Sequence, residues 1–86
     1  MERISGPYKG YYIAAYTVSS DKTFVGYAKI CGAEPDDVWN VQSVEKLTSA
    51  AGFRDEQEAL VAAEKKARQA IADIVGDPIT TPGALN

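Results

Sequence analysis

A long amphipathic helix near the C-terminal end constrains the fold of this chain more than any other sequence feature. Asp55 is a favoured N-cap residue, Glu58 follows three positions later as in a capping box, and Gly76 is a typical stop. These signals predict a helix over residues 56–75. A helix of this kind gains most of its stability by packing its apolar stripe on another element, so the preceding chain must supply that surface.

The predicted helix has one apolar side and one polar side. At 3.6 residues per turn, one stripe collects the apolar residues Leu60, Ala63, Ala67, Ala70, Ile71 and Ile74. The opposite side carries Glu58, Lys65, Gln69 and Asp73. Glu64 stands four residues before Arg68, which predicts an ion pair along the helix.

Two runs rich in aromatic and β-branched residues precede the helix and predict strands. They cover residues 8–18 and 23–31, with a Ser-Ser-Asp turn between them. A third strand is predicted over residues 38–42. The next segment has two interpretations, a short helix over 44–51 or an extension of the third strand over 44–48.

These elements predict an α+β fold of the βββα type. Three antiparallel strands form a meander, and the C-terminal helix packs on one face of the sheet. With 86 residues the chain is long enough for one core, so we expect a single domain over 1–76. The remaining residues, 77–86, show no periodicity and are expected to form a flexible tail.

Pairing the first two strands across Ser20 and Asp21 sorts their side chains onto two faces. The face predicted to lie under the helix carries Tyr11, Ile13, Ala15, Thr17, Phe24, Gly26, Ala28 and Ile30. The other face carries Tyr12, Ala14, Tyr16, Val25, Tyr27 and Lys29. We expect this second face to be open to solvent.

The open face is the predicted binding site, with Tyr12, Tyr16, Tyr27 and Lys29 as its contact residues. All five tyrosines fall between residues 8 and 27, and an exposed aromatic cluster is typical of docking surfaces. The alternative is a purely structural one, in which strands favour tyrosine and one face of a small sheet meets water.

Groups that carry out chemistry are scarce. The sequence contains no histidine, which removes the commonest general base and zinc ligand, and it contains no P-loop pattern. Cys31 is the single cysteine; a reactive thiol beside Lys29 is the alternative to a structural residue. The acidic turn at 34–37 lacks the ligand spacing of a calcium loop. We therefore predict a non-enzymatic protein with no cofactor and no metal site.

Charge and composition narrow the expected partners. The net charge is −3 and the predicted pI about 4.8, which disfavours nucleic acid and membrane surfaces as main partners. We expect a cytoplasmic protein that binds another protein or, weakly, a second copy of itself. Lys29 opposes self-association, because in a symmetric pair its ammonium would face the Lys29 of the other copy. The competing expectation is a monomer whose tail folds back over the tyrosines. Nucleic acid held by the tyrosines, Lys9, Lys22 and Lys29 is the less favoured alternative.

Several spaced residues resemble a known pattern. They are Tyr8-x-Gly10-x-x-Ile13, Phe24-x-x-x-Ala28-x-Ile30, Gly52-Phe53-x-Asp55-x-x-x-Ala59, and the helix series Ala63, Ala67-Arg68 and Ile71. This pattern, over residues 8–74, resembles small uncharacterised bacterial proteins of βββα architecture, and the resemblance implies the fold without any catalytic residue. The segment from Phe53 to Ile71 is also similar to the last helix of HicB-type antitoxins, which implies a toxin partner as an alternative.

Overall fold

The computed structural model describes residues 1–39, 41–49 and 52–76. It is an α+β structure with four strands and one helix, in the order β1 (Glu2–Tyr8), β2 (Tyr11–Ser20), β3 (Thr23–Cys31), β4 (Glu45–Thr48) and α1 (Glu56–Val75). The strands form one antiparallel sheet in the order β1-β2-β3-β4. The α+β class, the antiparallel sheet and the C-terminal helix are confirmed, whereas the sheet has four strands instead of three. The predicted tail at 77–86 lies outside the described residues.

The additional strand, β1, contains Gly6 and Pro7, two residue types that are depleted in strands. Proline is tolerated here because β1 is an edge strand, where one row of backbone N–H groups has no sheet partner. The pairing of β1 with β2 is irregular between Ser5 and Tyr8, at the Gly-Pro step. This strand was therefore not predicted, because glycine and proline disfavour strands except at positions such as an edge.

The prediction of a strand over 38–42 is wrong, because the described residues of that segment form a loop. The strand that pairs with β3 is β4, so the short helix at 44–51 is also wrong where the structure describes it. The extended alternative for 44–48 is the better match. The β-branched and aromatic residues at 38–42 pack their side chains on the sheet without joining it, as described below.

The turn between β2 and β3 sets the register. Asp21 and Lys22 form a two-residue turn with φ of 51° and 58°, and Ser20 pairs with Thr23. Positive φ at both central positions is typical of the type I′ hairpin turn. The register therefore differs from the predicted one by two residues, so that Tyr16 lies opposite Tyr27. Because a shift of two preserves the alternation, every side chain remains on its predicted face.

The core lies between the sheet and α1, as predicted. Its fully buried residues are Ile13, Ala15, Ala28, Ile30, Leu60, Ala63, Ala67 and Ile71. Ile74 was expected in this stripe but is 39% exposed, because it lies in the last turn of α1. Half of these residues are alanines, two on the sheet and two on the helix, which lets the helix lie close to the strands.

Both ends of α1 are set by the predicted residues. The Asp55 side chain accepts a hydrogen bond of 2.8 Å from the backbone N–H of Gln57. Gly76 closes the helix in the left-handed conformation, with φ of 70°. Residues with a Cβ adopt that conformation at a cost, so glycine suits this position.

An ion pair fastens β1 to the helix. The Arg3 guanidinium donates from Nε and Nη2 to the two carboxylate oxygens of Glu64, at 2.8 and 2.6 Å. Glu64 is 5% exposed, and its hydrogen bond and charge raise the pKa of Arg3. The pair expected along the helix, Glu64 with Arg68, is therefore replaced by a pair across the fold. The planar fork of arginine matches a carboxylate with two bonds, which explains the tight geometry.

A second polar contact lies at the start of α1. The Met1 amino group is 2.8 Å from a Glu56 carboxylate oxygen, and the Thr17 hydroxyl donates to the same oxygen at 2.6 Å. These two hydrogen bonds lower the pKa of Glu56. The beginning of the chain, β2 and the helix therefore meet at one carboxylate.

We predict that Gly26→Ala destabilises the fold. A Cβ at Gly26 would clash with the backbone oxygen of Ala59, so α1 would have to move away from β3. The expected loss is at least about 2 kcal/mol of unfolding free energy, measured by urea titration. Gly32→Ala is the control, because nothing lies within 4 Å of its added Cβ. Equal stabilities of the two variants would contradict the close approach.

We also predict that Arg3→Met destabilises the protein by about 1 to 3 kcal/mol, because a buried carboxylate is left without its donor. Adding Glu64→Met to this variant should recover most of the loss, since replacing both partners by apolar groups removes the unpaired charge. Thermal melts of the two variants and the parent protein measure both effects. A double variant no more stable than Arg3→Met would show that the ion pair itself is not the cause.

Candidate functional site

The four predicted site residues share the sheet face that α1 does not cover. In the register of β2 and β3, Tyr12 lies opposite Cys31, Ala14 opposite Lys29, and Tyr16 opposite Tyr27. The shared face is as predicted. Tyr12 lies two rows from the Tyr16 and Tyr27 pair, with the row of Lys29 between them, and Tyr12 and Tyr27 both pack against the buried cluster that contains Tyr16.

The centre of this face is covered by the segment between β3 and β4, which we call the strap (residues 32–39 and 41–44). Val38 is 1% exposed, and it packs with Ala14, Tyr16 and Cys31 in a second buried cluster. Val41 lies half-buried against the same cluster. The expectation that the whole face meets water is therefore wrong at its centre, where Tyr16 is only 6% exposed.

Lys29 holds the strap in place. Its ammonium donates to the carbonyl oxygens of Val38 and Trp39, at 2.8 and 3.5 Å. The same ammonium lies 5.6 Å from the centroid of the Tyr16 ring, within cation–π range. The residue predicted to contact a ligand thus contacts the chain itself, and its positive charge is satisfied by backbone oxygens and an aromatic face.

Trp39 is the most prominent side chain of the strap, and it was not among the predicted site residues. Its ring lies 4.6 Å from the Tyr16 ring at an angle of 50°, and its indole N–H donates to a Glu2 carboxylate oxygen at 3.1 Å. Its backbone N–H donates to the Asp37 side chain at 2.7 Å. Despite these contacts Trp39 is 53% exposed. The sequence signal was available, because this is the single tryptophan and it follows a polar turn.

Next to the strap, towards the β2–β3 turn, the face remains uncovered. Val18 and Val25 lie opposite each other there, and Val18 is 44% exposed. Tyr27 stacks beside Tyr16 with ring centroids 5.2 Å apart. We call Val18, Val25, Tyr27 and Trp39 the aromatic patch. The patch combines the exposed Val18 and Trp39 with the half-buried Val25 and Tyr27, and protein contact sites are similarly rich in aromatic surface.

Charges of opposite sign border the aromatic patch on two sides. Glu2, on β1, holds the Trp39 indole. Lys46, on β4 at the opposite edge of the sheet, places its ammonium 5.7 Å from the centroid of the Tyr27 ring. The patch is therefore an apolar surface with an acidic border and a basic border.

A cavity of about 420 Å³ lies at the other end of the strap, lined by Cys31, Gly32, Ala33, Glu34, Pro35, Asp36, Val41 and Gln42. The Cys31 thiol is buried and lies 3.8 Å from the Lys29 carbonyl oxygen. Burial raises the pKa of this thiol, although the nearby Lys29 charge acts in the opposite direction. Within the described residues, no three histidine, cysteine, aspartate or glutamate side chains are grouped to hold a metal ion.

Comparison with known proteins adds no relative: no protein-family model, curated protein or solved structure matches this chain. In the part of the chain that the structure describes, no helix combines the length and the apolar character needed to cross a membrane.

We predict that the Cys31 thiol reacts more slowly with a thiol probe than a small model thiol at neutral pH. Burial limits access of the probe, and the raised pKa keeps the thiolate scarce. The same measurement in denaturant is the control, where the rate should approach that of the model thiol. Faster reaction in the folded protein would indicate an activated nucleophile and favour the enzymatic alternative.

Proposed function

We propose that this chain is a non-enzymatic protein-interaction module that binds its partner through the aromatic patch. The observation that carries the proposal is the half-exposed Trp39, held by Tyr16 and Glu2 on the same sheet face as the exposed Val18. Tryptophan is the residue type most enriched at the energetic centres of protein interfaces. Its exposure in a folded chain is a cost that binding removes.

Preorganisation of the patch supports this function. The Trp39 side chain is fixed by a ring contact and a hydrogen bond, and its backbone is fixed by Asp37 and Lys29. A side chain that is already ordered loses little conformational entropy on binding, so more of the contact energy appears as affinity. Val18 and Val25 are on paired strands, so the backbone beneath the patch is held by the sheet.

Single-stranded nucleic acid is the second candidate, favoured by the Lys46 ammonium beside the Tyr27 ring. Base stacking on this face has limited room, because Tyr16 is buried between its neighbours and Lys29 is engaged by the strap. A fluorescence anisotropy titration with single-stranded RNA at rising salt tests this candidate. Binding that weakens steeply with salt would favour nucleic acid over a protein partner.

We predict that Val18→Asp abolishes partner capture from a lysate of the native host. The added carboxylate would be buried without a partner in the complex, and that desolvation opposes binding. Val61→Asp is the matched control, because Val61 is 41% exposed on α1, far from the patch, compared with 44% for Val18. Quantitative mass spectrometry of the retained proteins compares the two variants with the parent chain.

Proteins retained by the parent chain and by Val61→Asp, but lost with Val18→Asp, would support the proposal. Trp39→Ala should lose the same proteins, since it removes the largest side chain of the patch. Equal capture of these proteins by the parent chain and all the variants would contradict the proposal. A circular dichroism melt of each variant establishes that the fold is retained.

A further inference from the structure

We propose that the partner that fits the aromatic patch is a second copy of this chain, related by a two-fold axis parallel to β2 and β3. This inference rests on the proposed function, because it uses the same surface and names its occupant. The uncovered faces of the two sheets then pack against each other. The rotation reverses the strand order of one copy relative to the other. The β1 edge of each copy consequently lies over the β4 edge of the other.

The uneven height of the patch surface favours this axis. Trp39 rises above the half of the face that belongs to β1 and β2, because its ring lies on Tyr16 and its indole reaches Glu2. The half that belongs to β3 and β4 presents Tyr27, whose ring stacks beside Tyr16 and has the Lys46 ammonium over it. The two-fold axis brings the raised half of each copy against the lower half of the other. Trp39 thus packs near the partner's Tyr27, and the reverse contact forms at the same time.

The charges at the borders favour the same axis. Glu2 is on one edge strand and Lys46 is on the other, so exchange of the edges places each Glu2 opposite the partner's Lys46. Along the strands, Glu2 is in the row of Tyr16 and Tyr27, and Lys46 is in the next row, opposite Lys29. The Lys46 ammonium nevertheless lies over the Tyr27 ring, which brings it towards the row of Glu2. Each dimer therefore contains two pairs of opposite charges at its rim.

An axis in the sheet plane but perpendicular to the strands gives the opposite result. It would place each edge strand over its own image, so that Glu2 approaches the partner's Glu2 and Lys46 approaches the partner's Lys46. The two raised Trp39 halves would also collide while the lower halves stayed apart. Like charges across an interface oppose association, which excludes this arrangement in favour of the first.

The structure also removes the objection that Lys29 raises against self-association. Its ammonium donates to the Val38 carbonyl and lies beneath the strap, beside the Tyr16 ring. It does not stand on the contact surface as a bare charge. Two facing copies would therefore meet with the strap and the patch between their Lys29 side chains.

Two charge-reversed variants test the geometry directly. E2K places two positive charges at each rim contact, and K46E places two negative charges there. Each variant alone should dimerise roughly tenfold to a hundredfold more weakly than the parent chain. An equimolar mixture of the two should regain the affinity of the parent, because every rim contact in the mixed dimer again joins opposite charges.

Sedimentation velocity over a wide concentration range measures these associations on the full chain at low salt. Circular dichroism melts of both variants serve as folding controls, since Glu2 also holds Trp39. Recovery in the mixture cannot result from damage to the fold of either variant, so it would support the proposal. A mixture that sediments as the sum of two monomers would overturn it, as would a parent chain that remains monomeric at every concentration.

Failure of this inference is distinguishable from failure of the proposed function. A strictly monomeric parent chain whose lysate capture still depends on Val18 would retain the interaction surface and reject the second copy as its occupant. Val61→Asp should dimerise as the parent does, and Val18→Asp should not. A Val61→Asp variant that fails to dimerise would place the interface on α1 and overturn the proposal.

Discussion

The close approach of α1 to β3 at Gly26 is the contact on which the remaining architecture depends. A helix that lies this close to the backbone of a strand limits the distance between the two layers around that point. Only small side chains then fit in the neighbouring positions, and the alanines of the sheet and of α1 occupy them. The larger residues Ile13, Ile30, Leu60 and Ile71 fill the space further along the strands, where the layers have more room.

This thin core leaves the sheet in need of cover on its second face. Alanine contacts bury little area per residue, so a core of this kind contributes modest hydrophobic stabilisation for a chain of this size. The strap supplies a second apolar cluster around Val38, and Lys29 ties it to the sheet. The two faces of the sheet are thus stabilised differently. A regular helix covers one face, and the other is covered by an irregular segment that buries Val38 and accepts a hydrogen bond from Lys29.

This difference between a regular helix and an irregular strap explains which parts of the fold the sequence predicts well. Periodic signals, such as the cap at Asp55 and the alternation through Ile13 and Ala15, depend on neighbours in the chain, and they gave the helix bounds and both faces of β2 and β3. The strap and β1 depend on contacts between distant residues, such as Lys29 with Val38 and Arg3 with Glu64. Val38 and Trp39 have high strand propensity, but they use their side chains for packing on a sheet that already has its strands. The four predicted site residues therefore share one face, as the alternation predicts, whereas Trp39 was missed and the exposure of Tyr16 was overestimated.

The position of Trp39 has a spectroscopic consequence. As the single indole of the chain, it dominates the intrinsic emission, yet it belongs to the strap and not to the core beneath α1. Its neighbours are a tyrosine ring at 4.6 Å and a carboxylate that accepts from its N–H. The emission of this protein consequently reports the state of one surface segment, and the helix signal in circular dichroism reports the layer on the other side of the sheet. One molecule thus carries two independent optical probes, one for each face of its sheet.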